Sequence, residues 1–209
     1  MKALGYDGLA AMLRSAADRV EAEHQQLSKL DAAIGDGDHG TTMRRVSKAI
    51  TQSVADNSER TPRALLETVG WAVMGVDGGS TGPLLGSLLM GMSEAADVPE
   101  LSPADVAAVF EAGLAKVRAQ TPAQVGDKTM MDALVPAVLA IRIAADDGKD
   151  VRSAMTLAAA AADAGARSTT DLQAKFGRAR NLGARTVGHV DPGATSITLI
   201  FAAFRDALT

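Results

Sequence analysis

Residues 9–34 read LAAMLRSAADRVEAEHQQLSKLDAAI. Leu9, Leu13, Ala16, Val20, His24, Leu27, Asp31 and Ile34 recur at three- and four-residue steps, which places them on one face of a helix. A half-buried strand would alternate every second residue instead. The stripe is apolar except for His24 and Asp31. Elsewhere alanine is abundant, supported by Leu, Met, Glu, Gln and Arg, all strong helix formers. β-branched residues cluster only near 195–201, TSITLIF. The expectation is an all-α chain.

Working outward, Thr61-Pro62 and Ser102-Pro103 each set a capping residue before a proline at the first helical position. Ser102 and Asp105 have the spacing of a capping box. Gly and Asp clusters interrupt the chain near 35–40, 75–82, 146–150 and 188–193. The pattern predicts eight helices, at about 4–30, 40–55, 62–75, 81–96, 103–119, 128–146, 151–173 and 194–208. Pro136 falls inside the sixth, where a kink or local break is expected. Residues 174–193 read as a long ordered loop, a feature that in a compact domain is usually functional or disordered. With no repeat, low-complexity linker or shift in composition, residues 1–209 read as one domain of packed helices.

The 209 residues carry a formal net charge of −4, no basic run and few aromatics, which argues against nucleic acid as a partner. There is no cysteine, so disulfides and thiolate metal sites are excluded, in keeping with a cytoplasmic location. The N-terminus does not read as a secretory signal, and the apolar runs are too short and interrupted for a membrane span.

The first helical stripe runs into residues 30–43, LDAAIGDGDHGTTM, where Asp31, Asp36 and Asp38 crowd among glycines. Carboxylates are the hard oxygen ligands that Mg²⁺ prefers, along with water and phosphate oxygens. Asp36 and Asp38 share a side of an extended run, and Asp31 lies on the inward stripe. A buried, unpaired carboxylate is costly, and a cation removes that cost. A solvated acidic turn is the plainer alternative. An EF-hand is excluded, because counting from Asp36 puts Thr41 and Ser47 where Gly and Glu are required. His39 is expected to hydrogen-bond a bound anion, or else to cap the second helix.

Residues 75–86, GVDGGSTGPLLG, place Gly79, Ser80 and Thr81 ahead of an apolar helix, where free N–H groups and the helix dipole attract anions. A close helix crossing explains the same small residues equally well. Neither this stretch nor GDKTMMD (126–132) is a Walker A motif. Residues 176–196 carry Arg178, Arg180 and Arg185, then Asp191-Pro192-Gly193. Arginines there would neutralise phosphate, or be solvated on a surface loop. Met130 and Met131 fit either an adenine pocket or the core. Taken together, a carboxylate cage, two N–H-rich helix starts and an arginine loop are equipment for a polyphosphate held on Mg²⁺.

These four blocks, LDAAIGDGDHGTTM, GGSTGPLLG, GDKTMMDAL and GRARNLGARTVGHVDPGATS, resemble the ADP-binding L subunits of dihydroxyacetone kinases, in order and over residues 30–196. The resemblance implies an antiparallel, up-and-down eight-helix barrel with the nucleotide at one end. It implies two Mg²⁺ ions on Asp31, Asp36 and Asp38, bridging the phosphates of ADP or ATP. It implies nucleotide contacts from His39, Gly40, Thr41, Thr42, Ser80, Thr81, Met130, Arg178, Asp191, Pro192 and Gly193. In that family a K subunit holds the ketone covalently on a histidine, and in the phosphotransferase-linked version an M subunit recharges ADP in place. Thr42, where the family often has Asn, and Asn181, where an aromatic is common, depart from the pattern.

The expected function is a phosphoryl-transfer kinase subunit. The acceptor is dihydroxyacetone or a related short sugar, with Gly79, Ser80, Thr81 and Arg178 adding electrostatic stabilisation. An ADP-loaded module acting on a transcriptional regulator and a stand-alone Mg²⁺-dependent phosphohydrolase are the rival readings.

Overall fold

The structure, a computed structural model, describes residues 1–208. Eight α-helices make up nearly all of it: α1 Tyr6–Ile34, α2 His39–Asp56, α3 Pro62–Met74, α4 Thr81–Glu94, α5 Pro103–Gln120, α6 Met131–Asp146, α7 Val151–Ser168 and α8 Pro192–Ala207. Each packs on its sequence neighbours, and α8 returns to pack on α1, closing the antiparallel ring. The apolar faces of all eight meet in one continuous core. Phe110 of α5 meets Phe201 and Phe204 of α8 across the middle, with ring centroids 5.7 and 6.3 Å away.

The helical stripe of α1 behaves as its spacing predicts. Leu9, Leu13, Ala16, Val20, Leu27 and Ile34 are buried, while His24 and Asp31 are half-buried. The expected end at about residue 30 is too early, since α1 runs through Asp31 to Ile34. The caps are as read. The Thr61 side chain accepts from the Ala64 N–H at 3.1 Å, and Ser102 with Asp105 forms a reciprocal capping box.

Four expectations need correction. The sixth helix starts at Met131 rather than 128, because Lys128 adopts a left-handed backbone, φ 60°. The seventh ends at Ser168, and a 3₁₀ turn, Thr169–Asp171, replaces its last turn. The segment 174–193 contains a 3₁₀ stretch, Ala179–Thr186, and α8 already begins at Pro192 with Asp191 as its cap. Pro136 does not break α6. The carbonyl it leaves without an N–H partner is that of Asp132, and this oxygen faces α7 at Gly165, where a Cβ would come within 2.0 Å of it. Two short strands, β1 Leu4–Gly5 and β2 Glu100–Leu101, pair antiparallel and were not foreseen.

Short connections in an up-and-down ring place every second helix start at the same end. The N-termini of α2, α4, α6 and α8 therefore gather at one rim, together with the C-terminus of α1. The ring also brings α1 and α2 unusually close there. A Cβ on Gly40 would sit 1.8 Å from the carbonyl oxygen of His24.

Candidate nucleotide and metal site

At that rim lies a cleft of about 280 Å³. Its wall includes Asp31, Asp36, Asp38 and His39 from the α1–α2 junction, Gly79, Ser80 and Thr81 from the start of α4, and Met130 and Met131 from the start of α6. Arg178 and the Asp191–Gly193 turn complete it. Leu84, Leu85 and Ile197 make one side apolar.

The three aspartates converge. One carboxylate oxygen from each lies within 4.8 Å of the others, a group able to hold a metal ion. Asp31 is half-buried, while Asp36 and Asp38 are exposed, so the expected fully buried carboxylate is not found. Asp31 Oδ2 accepts from the backbone N–H of His39 at 3.2 Å, which anchors it to the first turn of α2. A guanidinium already lies against the other two: Arg178 is ion-paired with Asp36, and its Nη1 is 3.0 Å from Asp38. An all-oxygen donor group that attracts a cationic side chain fits Mg²⁺ by charge and by ligand type.

His39 is held by its ring. Ser196 Oγ donates to the Pro192 carbonyl at 3.1 Å, so it accepts from His39 Nε2–H at 2.8 Å. The remaining nitrogen, Nδ1, is then an acceptor, 3.4 Å from the Thr81 hydroxyl. Burial pushes the His39 pKa down, with Asp31 and a backbone hydrogen bond at Pro192 pulling it back up. Its ring nitrogens lie against the hydroxyls of Ser196 and Thr81. His39 is the first residue of α2 and its cap position is Asp38, so the helix-capping alternative does not hold.

At α4, Ser80 is the cap residue but makes no side-chain capping bond. It lines the cleft with Gly79 and Thr81, at the helix start whose first N–H groups have no intrahelical partner. Gly78, φ 133°, lies over Thr42, whose Oγ1 would be 2.1 Å from a Cβ there. Asp191 Oδ2 accepts from the Ala194 N–H at 2.7 Å, and Pro192 occupies the first helical position. Arg178 is thus the arginine of its loop at the cleft, whereas Arg180 and Arg185 are exposed and lie outside its wall. Gly40, Thr41 and Thr42 also lie outside it: Gly40 serves the α1–α2 crossing, and Thr42 is buried under Gly78.

The family model of the DAK2 domain matches residues 33–206. The chain belongs to the DAK2-domain family. It is 36% identical over 186 residues to the ADP-binding subunit DhaL of the PEP-dependent dihydroxyacetone kinase 1 of Listeria innocua, covering 89% of this chain and 88% of that one. To the corresponding DhaL subunit of Escherichia coli it is 33% identical over 181 residues, covering 86% of each. The crystal structure of the dihydroxyacetone kinase from C. freundii in complex with AMP-PNP and Mg²⁺ superposes with a TM-score of 0.74 at 26% identity, over 94% of this chain. This chain spans only 33% of that kinase chain, and it matches the free-standing DhaL subunits nearly end to end.

In this DAK2 domain the part of the cleft that sequence reasoning missed is its floor. Lys128, Thr129, Phe176 and Ser196 line it, and Asp132 lies beneath. GDKTMMD draws notice in the sequence as a failed Walker motif, as a resemblance block and for its methionines, but not for Lys128, Thr129 or Asp132. Its real signal is a lysine and an aspartate flanking the apolar pair Met130-Met131 at a helix start. No described helix is long and apolar enough to cross a membrane.

Proposed function

We propose that this chain, acting as one unit over residues 1–209, is the nucleotide-binding, phosphoryl-transferring subunit of a dihydroxyacetone-type kinase. It holds ATP, or an ADP recharged in place, and delivers the terminal phosphoryl group to dihydroxyacetone or a related short sugar. A K subunit presents that acceptor, and an M subunit is the further partner where phosphate arrives by a phosphotransferase relay. The cytoplasm is where these partners would meet it. The observation that carries this reading is the convergence of Asp31, Asp36 and Asp38 within 4.8 Å at the rim where four helix N-termini gather. The ADP-binding subunits among its relatives support the ligand, as does the AMP-PNP and Mg²⁺ complex of the C. freundii kinase.

Two Mg²⁺ ions on the three aspartates would supply charge neutralisation along the phosphates. The chain's own groups do the rest. Backbone N–H groups of Gly79, Ser80 and Thr81 offer donors to phosphate oxygens, reinforced by the α4 dipole. Arg178, already drawn to Asp36 and Asp38, adds a positive charge where negative charge develops. Met130, Met131, Leu84 and Leu85 form an apolar compartment suited to adenine, next to Asp191, Pro192 and Gly193. His39, held between Ser196 and Thr81, positions the start of α4 against α8. Deprotonation of the acceptor hydroxyl falls to the partner subunit.

Asp36→Ala tests this. Purified wild-type protein should carry bound nucleotide and should phosphorylate dihydroxyacetone when mixed with a K subunit and a phosphate source. The variant should lose both while keeping its helical circular dichroism. Normal nucleotide content in the variant would sink the metal-cage role.

A further inference from the structure

Lys128 is 1% exposed, the only lysine among the buried polar residues described. Its ammonium donates to the carbonyl oxygen of Thr169 at 2.6 Å and also to that of His189. Three chain segments meet at this one nitrogen: the loop before α6, the end of α7 and the loop before α8. The surroundings are equally closed. Asp132, 1% exposed, accepts from the N–H groups of Gly126 at 2.6 Å and Thr129 at 2.7 Å. The Asp191 N–H donates to Thr169 Oγ1 at 2.9 Å, and that hydroxyl donates to the Ala166 carbonyl.

Such an arrangement is expensive to maintain. Burial disfavours the charged ammonium and pushes its pKa down, with Asp191, Asp132 and Asp171 opposing that. The left-handed backbone of Lys128, φ 60°, adds local strain. What it secures is a distance. Met130, two residues on, and Pro192–Gly193, just past His189, are facing walls of the cleft. They lie close together at their base: a Cβ on Gly193 would be 3.4 Å from the Met130 nitrogen.

We propose that Lys128 is a positioning residue for the adenosine half of the nucleotide, clamping the start of α6 to the start of α8 and so fixing the gap between Met130 and Pro192–Gly193. The proposal rests on the nucleotide reading of the cleft. The aspartates and Ser80–Thr81 serve the phosphates and are anchored elsewhere, on α1, α2 and α4. Loss of the clamp should therefore weaken binding of the adenosine moiety and spare that of the phosphates.

Calorimetric titration separates the two halves. Protein stripped of co-purified nucleotide is titrated with ADP and with inorganic pyrophosphate, both with Mg²⁺. Lys128→Met should lose about tenfold or more in ADP affinity while pyrophosphate affinity stays within about twofold, as expected for removal of one charge-assisted tether. Lys128→Gln keeps a neutral donor of similar reach but removes the charged tether to the Thr169 and His189 carbonyls. It should shift the same ratio in the same direction, and it decides the matter if the first variant does not fold. An unchanged ADP-to-pyrophosphate ratio, or equal losses on both ligands, overturns the clamp. Wild-type protein that binds neither ligand would instead remove the nucleotide reading itself.

Discussion

The Asp191 carboxyl is pushed up to about 7, chiefly by burial, with nearby Asp132 acting in the same direction. The N–H groups of Ala194 and Gly193 and the charge of Lys128 act in the opposite direction. In the unfolded chain the group returns to its ordinary value of 3.8. Between those two values the folded protein holds a proton that the unfolded chain has released. Stability contributed by this residue therefore falls as pH rises through that window, by on the order of 1 kcal/mol per pH unit, and levels off above about 7. Asp191→Asn keeps a capping oxygen but has nothing to titrate. Urea midpoints at pH 5, 6, 7 and 8 should show a downward trend in the wild type that is missing from the variant. Parallel trends would mean that the carboxyl titrates normally.

At the scale of elements, the crossing of α1 and α2 positions the acidic half of the cleft, because Asp31 closes one helix and His39 opens the next. Gly40 permits that crossing, and the obstacle to a larger residue is the His24 backbone, which cannot rotate away. Gly40→Ala should cost about 1–3 kcal/mol in urea unfolding, the usual range for overpacking, and should also weaken nucleotide binding. A variant as stable as wild type would show that the helices can separate freely. Helix starts built on local chemistry were legible in the sequence: Thr61-Pro62 and Ser102-Pro103 carry their own capping oxygens and prolines. The start at Met131 was not, because tertiary contacts set it; Asp191-Pro192 carries the same local signal as the other two and was passed over for residue 194. Lys128 is a good helix former by propensity, yet its bonds to Thr169 and His189 hold it out of α6. The end of α7 was missed for a similar reason, since the Thr169 carbonyl accepts both from Lys128 and from the Leu172 N–H that closes the 3₁₀ turn. The aspartate trio was readable because its spacing is local. The buried floor beneath it joins residues dozens of positions apart, and no periodicity reports that.

For the molecule as a whole, the ring is held from within by Phe110, Phe201 and Phe204, the last two 5.8 Å apart between centroids. Phe201 is 1% exposed and touches both of the others. Phe201→Ala should cost about 3–5 kcal/mol in urea unfolding, since it empties the space between α5 and α8. A loss under about 1 kcal/mol would mean that the interior collapses easily around the gap. The opposite rim of the ring carries β1 and β2, and there the Met1 ammonium pairs with Asp150 at the start of α7. Helix α8 also finishes at that rim, in the alternating order of the ring. Both ends of the described chain thus point away from the cleft. Further polypeptide joined at either end would leave from the back of the barrel, and a tag, a reporter or a neighbouring domain attached there would not have to cross the cleft mouth.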